Sequence, residues 1–549
     1  MADQKYAGFA DSNEALVLGI LAFVMAAVIL TIGLIYAGNT FGLEVGYHLQ
    51  SWWSYSERPP RWLSVSFGVV ITFSALLGVI TTALLMRGRQ METHVSGLQV
   101  SDAAILNKQE QTGIKQTGRG VSFGGVTLSK RRETGHMLVL GLPGSGKTVL
   151  LNTIVKQIVD DIQDAVAENQ KPDRLIIHDP KGDFTQWLPA ELSAVFGPWD
   201  GRSVAWDIGR DVNTQALAVE AANAWITDSK DPMFSNAART AAAGLIMWLQ
   251  REKGESWTLT DFSALLNLPI KSMCERAIEG WPANQANLTF SDEGEPITTT
   301  MNIITTMSAP LTWVHQSAAA QRLAKSRFSA REWLTRSPKR PILILKSDAR
   351  YPAAAAGLFG LMMQVINNTI CSNDMPEVKA DEPGTWVILD EFPQLGKSTG
   401  EPVRTIQEFG RSRGARVITA AQDMSQYLDI YGRESGRVQT SLQQTVIYAR
   451  QADESAKEIS ERSGVRIVNR WSGSVQRNSG MSESFSQAET KVILPHQLTR
   501  LSITAKGPEV IAVIEGQPGK LVVPFPQGLK GSNPQAVPNQ IGRASCRER

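Results

Sequence analysis

The stretch "HMLVLGLPGSGKTVL", residues 136–150, constrains the fold more than any other part of this chain. An apolar run, Met137 to Leu140, enters a turn made of Gly141, Leu142, Pro143, Gly144, Ser145 and Gly146 and ends on Lys147 and Thr148. The turn fits GxxxxGK[ST] in full. A helical pattern follows it, apolar at 150, 151, 154, 155, 158 and 159. The glycines let backbone N–H groups turn inward, and the helix behind them presents its positive end. Strand, phosphate loop and helix in this order commit the chain to an α/β fold with a largely parallel sheet. The loop residues Gly141 to Thr148 are then the expected nucleotide contacts. Lys147 should reach the β- and γ-phosphates and Thr148 should ligate Mg²⁺, which makes ATP and Mg²⁺ the expected ligands.

A partner motif lies far downstream in "GTWVILDEFPQLGK", residues 384–397. Trp386 to Leu389 read as a buried strand that ends in Asp390 and Glu391. Carboxylates at the carboxyl edge of a parallel strand sit beside the phosphate loop. Asp390 is the expected second Mg²⁺ residue, and Glu391 the general base that polarises the attacking water. Alone, an apolar run before Asp-Glu says little; paired with a complete phosphate loop it says much. "RLIIHDPKGDF" (174–184) and "ARVITAAQD" (415–423) read as further strands of the same sheet. The second ends at Gln422, placed to sense the γ-phosphate or to cap the strand end. "PILILKSD" (341–348) and "QTVIYAR" (444–450) supply two more strands.

Ahead of this block stand two uncharged apolar runs, residues 15–37 and 62–86. Each exceeds the ~20 residues needed to cross a bilayer core. Trp52, Trp53 and Trp62 fall where interfacial aromatics lie. The flanking charges, Lys5, Arg58, Arg61, Arg87 and Arg89, orient the pair only weakly. Chemistry orients it better: a phosphate loop needs ATP, so the long C-terminal part belongs in the cytoplasm. The N-terminus is then inside and residues 38–61 outside.

At 549 residues the chain is too long for one core. Its net charge of +2 means that a nucleic-acid partner must be met by a local patch. Its three cysteines form no CxxC pair, which argues against a disulfide scaffold or a zinc site. The last nine residues, "IGRASCRER" (541–549), back-translate to a sequence resembling a common sequencing-library adapter, and are set aside. Between "WDIGRD" and "FSAREWL" no clear strand appears, and the ~120-residue segment reads as an inserted helical subdomain. The expected order is an anchor (1–90), a nucleotide-binding domain in two parts (91–205 and 331–535), an all-α insertion (206–330) and a tail (536–549). Residues 470–489 are Ser-rich and read as a mobile hairpin or surface loop. "KRR" (130–132) reads as a solvated charge cluster.

The ordered set "GHMLVLGLPGSGKT", "IIHDPKGDF", "DPMFSNAAR", "FSAREWL", "WVILDEFPQLGK", "GRSRGARVITAAQD" and "VILPHQL" resembles the TraD-like coupling proteins of type IV secretion and conjugation. The likeness runs from about residue 95 to about residue 515, and the two apolar runs and the helical insertion complete it. It implies a RecA-like P-loop ATPase at the bacterial inner membrane, multi-pass and assembled as a homo-hexamer. It further implies that the ring receives relaxase-bound single- or double-stranded DNA through its backbone and hands it to the secretion channel. It carries Lys147, Thr148, Asp390 and Glu391 as nucleotide residues, and Gln422 as sensor. Arg411 matches the position of an arginine that reaches into the neighbouring subunit's site, ahead of Arg413 and Arg416 as candidates. His178 departs from the usual pattern. A chromosome-segregation type of DNA motor and a receptor exporting proteins only are the competing readings.

Overall fold

The computed structural model describes residues 12–40, 61–85, 92–229, 231–476, 480–529 and 531–537, with 42, 44, 47 and 49–51. The chain forms two units, Met1–Gly97 with Val465–Lys491, and Leu98–Gly464 with Val492–Arg549. Lys5, Trp52, Trp53, Arg58, Arg87, Arg89 and the terminal nine residues lie outside the described residues.

In the first unit two apolar helices, α1 (Ser12–Thr40) and α2 (Arg61–Leu85), lie against each other. They meet closely at Gly19 and Gly78: a Cβ on Gly78 would stand 3.0 Å from the Gly19 carbonyl oxygen. Small residues at such a crossing let two backbones approach where no water drives association. Leu18–Gly38 and Ser64–Ala83 are long and apolar enough to cross a membrane and are only 6 % and 12 % buried. An N-terminal apolar helix of this kind fits a membrane anchor. The same unit holds a three-stranded antiparallel sheet, in which Glu92–Ser96 pairs with Val465–Gln476 and that strand with Gly480–Lys491. Most of the Ser-rich stretch therefore forms the two long strands of a hairpin.

The second unit is built on a ten-stranded sheet. Its strands are β1 (Met137–Leu140), β2 (Arg174–His178), β3 (Ser193–Phe196), β4 (Ile342–Leu345), β5 (Thr385–Leu389), β6 (Ala415–Ala421), β7 (Thr445–Tyr448), β8 (Gly507–Ile514) and β9 (Gln517–Val522), with the short Ile503–Thr504. Seven of them run parallel in the order β7-β1-β6-β5-β2-β4-β3. β8 joins β7 antiparallel and carries β9. Every residue of β1, β2, β4 and β5 is buried, as parallel strands covered on both faces require. Alternation along β1 splits its side chains between two cores. Met137 and Val139 join Leu150, Ile154 and Ile158 of helix α3 (Lys147–Ala167) on one face.

Leu138 and Leu140 face the opposite core, with Phe359 of helix α4 (Pro352–Ile370) and with Trp225, Phe262 and Trp313 of the helical segment. The helices of that segment thus share one apolar cluster with a face of the sheet. The two-residue strands Ala205–Trp206 and Arg327–Phe328 pair in parallel and bring its ends together. α4 is also long and apolar enough to cross a membrane, but it is 72 % buried. It is a core helix.

Candidate nucleotide site

β1 delivers Gly141 to the carboxyl edge of the sheet. There the Gly141 N–H donates to the Ala421 carbonyl (3.2 Å) and the Leu142 N–H to that of Arg450 (3.0 Å), which ties the loop to the exits of β6 and β7. Gly144 (φ 69°) and Gly146 (φ 95°) are left-handed, a conformation open to glycine at no steric cost. A Cβ on Gly146 would also strike the Pro508 ring at 2.4 Å. Among the described residues, the N–H groups of Gly144, Gly146, Lys147 and Thr148 have no hydrogen-bond partner. The buried Ser145 hydroxyl also lacks one. The first turn of α3 adds its positive end. Unpaired donors around a glycine cradle suit an anion such as a phosphate group.

β5 leads directly into Asp390 and Glu391, both buried. Glu391 is left-handed at φ 50°, which costs a non-glycine residue on the order of 1–2 kcal/mol. Its Oε1 lies 3.2 Å from Lys147 Nζ. Burial, then the Glu391 charge beside it, pushes the Asp390 carboxyl up to about 6. Burial holds the Lys147 ammonium below its usual range, with Glu391 and Asp390 acting against that. Two buried carboxylates facing one ammonium leave negative charge that a divalent cation would balance. The Asp390 carboxylate and Thr148 hydroxyl are the hard oxygen donors Mg²⁺ takes, so the residues fit the ion.

Gln422 follows β6 directly at the same edge, half-buried, and its N–H donates to Gln426 Oε1 (3.2 Å). The fold therefore brings together Gly141 to Thr148, Asp390, Glu391 and Gln422. Arg411 is elsewhere. It sits on the turn Gly410–Arg413 that precedes β6, at the opposite edge of the sheet. The seven residues of β6 alone put about 23 Å between that turn and the chain's own phosphate loop. Arg411 is exposed, and its guanidinium makes no ion pair or hydrogen bond among the described residues. Arg413 donates to the Met375 carbonyl. Arg416 is buried between Glu133 (3.2 Å) and Asp173 (3.4 Å), over the Trp386 ring. Both are engaged within the chain, as Arg411 is not. In "KRR", Arg132 pairs with Glu110 and Glu515, so it is part of a structural network.

Two residues beside the site were given no role by a reading of the sequence. The exposed Lys181, on the turn after β2, acts electrostatically on both Asp390 and Lys147. "DPKGDF" at the end of a strand beside the Asp-Glu strand is the signal that could have found it. The other is His178, the last residue of β2 and wholly buried. Its Nδ1 lies 2.6 Å from the Asp390 carbonyl oxygen and its Nε2 2.8 Å from Ser347 Oγ.

A phosphate loop at the carboxyl edge of a largely parallel sheet, with an acidic pair at the same edge two strands away across β6, defines the RecA-like class of nucleotide-binding folds. Within that class, the chain belongs to the type IV secretion-system coupling proteins: the model of that family's DNA-binding domain matches residues 120–515. Among solved structures, it is similar to the bacterial conjugative coupling protein TrwBdeltaN70 in unbound form. That match has 17 % identity and a TM-score of 0.65 over 82 % of this chain and 98 % of the other. TrwB in complex with the ATP analogue ADPNP matches at 17 % identity and TM-score 0.63, covering 82 % and 99 %. TrwB with ADP and Mg²⁺ matches at 18 % identity and TM-score 0.63, covering 82 % and 99 %. At these identities the likeness is one of fold. No curated protein matches this chain.

Proposed function

We propose that this chain is the membrane-anchored ATPase of a type IV secretion or conjugation system, driving relaxase-bound DNA toward the channel by ATP hydrolysis. The observation that carries the reading is the cradle of unpaired N–H groups beside the buried Lys147, Asp390 and Glu391. The family match over residues 120–515, and the nucleotides bound in TrwB, support it. In this reading residues 1–90 span the inner membrane twice. Residues 91–205 and 331–535 form the cytoplasmic nucleotide-binding domain, and 206–330 its helical insertion. Gly141 to Thr148 hold the phosphates, with Lys147 on the β- and γ-phosphates. Thr148 and Asp390 would hold Mg²⁺, which when bound neutralises charge on the phosphate oxygens. Glu391 takes the proton of the attacking water, Gln422 responds to the γ-phosphate, and Arg411 serves a neighbouring subunit of a homo-hexamer. A DNA strand would be met through its phosphates, with no base-reading motif required.

The direct test is Lys147→Ala in the full chain. Turnover of Mg²⁺-ATP should fall ~10²-fold or more, because positioning and charge neutralisation carry most of this chemistry. Membrane insertion should be unchanged. Turnover within a few-fold of the unmodified chain would remove the nucleotide engine from the reading.

A further inference from the structure

The Asp390–Glu391 peptide is held at both ends. Its N–H donates to Asp390 Oδ1 at 3.0 Å. Its carbonyl oxygen lies 2.6 Å from His178 Nδ1. A carbonyl oxygen can only accept, so Nδ1 carries the proton and Nε2 is left to accept from the Ser347 hydroxyl at 2.8 Å. The Phe359 ring meets the imidazole edge-on at 6.2 Å and fixes its plane. Directly after this pinned peptide the chain turns left-handed at Glu391. A non-glycine residue stays in that region only when its surroundings over-determine it. The turn is what carries Glu391 Oε1 to Lys147 Nζ, while β5 itself ends two residues earlier.

We propose that His178 is a positioning residue for hydrolysis: its Nδ1–H, aligned by Ser347, locks the Asp390–Glu391 peptide so that the Glu391 carboxylate faces the phosphate cradle. The inference rests on the reading of Glu391 as the base. Ser347 lies just beyond β4, so the lock joins the exits of three adjacent strands, β5, β2 and β4. An apolar residue at 178 would fill the same space but leave a buried carbonyl without its donor. Asparagine keeps an N–H at the place of Nδ1 and loses the bond to Ser347.

The test uses the full chain in detergent, with three readouts. They are Mg²⁺-ATP turnover, affinity for a fluorescent ATP analogue, and amide hydrogen exchange of residues 386–395 without nucleotide. His178→Phe should lower kcat about 10–100-fold, the usual cost of losing a partner that orients a site group. KM and analogue affinity should stay within about twofold, since phosphate binding is untouched. Exchange at the Glu391 amide should rise. His178→Asn should recover most of the turnover and the slow exchange, and Ser347→Ala should fall between. Glu391→Gln is the control. If it keeps full turnover, the reading of Glu391 fails, and this one with it. If it is inactive while His178→Phe keeps full turnover, the positioning role alone is overturned. His178→Asn as slow as a folded His178→Phe would also overturn it. Should His178→Phe not fold, unchanged turnover and exchange in both Ser347→Ala and His178→Asn would overturn it.

Discussion

Glu391 is a buried carboxylate in a left-handed turn against a buried ammonium, an arrangement that costs stability. Glu391→Gln preserves the side chain's shape and removes the carboxylate that the proposed function uses as base. Turnover should fall about 10²–10⁴-fold while nucleotide affinity holds, measured by steady-state kinetics and analogue binding. Loss of binding as well would make Glu391 structural. His136 is a second buried left-handed residue, at φ 58°. Its Nδ1 accepts from the Val417 N–H (3.1 Å), and its Nε2 donates to the Gln407 carbonyl (2.9 Å). Burial pulls its pKa down to about 4 from an ordinary 6.5. The neutral ring therefore contributes stability that is fully present above pH 6.5 and is lost as pH falls toward 4. His136→Asn tolerates the left-handed backbone and does not titrate. It should flatten the acid limb of a stability-versus-pH curve by about 1.4 kcal/mol per pH unit in that window. An unchanged limb would mean that the ring is already charged in the fold. Lys147, Thr148, Asp390 and Glu391 could be picked out as candidates from the sequence because each stands in a short motif whose spacing is its own evidence. His178 stood out in the sequence only as a departure without a role, because its partners are 212 and 169 residues away and no local pattern records such a contact.

Among the elements, β1, β2, β4, β5, β6 and β7 were readable as apolar runs before polar turns. β3 was not, since "SAVF" is too short to separate from a loop. The antiparallel pair β8 and β9 was also missed; its burial pattern is mixed, and Pro518 and Gly519 break the apolar run of β9. Chain length suggested that the helical segment stands apart. Its aromatic side chains instead run into the core beneath β1 and β5, where Phe359 of α4 touches Phe196, Trp199 and His178. α4 is shorter and less apolar than α1 and α2 yet still long and apolar enough to cross a membrane, and its burial marks it as a core helix. Phe359→Ala should cost about 3–5 kcal/mol, read from denaturant titration of the solubilised chain. A loss below about 1 kcal/mol would put that face of α4 outside the core.

For the whole molecule, the decisive feature is the separation of Arg411 from its own chain's phosphate loop. The two lie at opposite edges of the sheet, with β6 between them. An exposed, unpaired arginine there completes a nucleotide site only if a second copy brings its carboxyl edge to it. Arginine supplied in this way stabilises charge on the transferred phosphoryl group. ATPase activity should accordingly rise more than linearly with chain concentration. DNA should raise it further by favouring the assembled state, and salt should weaken that rise. The most direct measurement mixes two variants that are each inactive, Arg411→Ala and Lys147→Ala, and reads ATP turnover. In a mixed assembly an intact phosphate loop on one subunit meets an intact Arg411 on its neighbour, so part of the lost activity should return. A mixture that co-assembles and stays inactive would contradict a site shared between subunits.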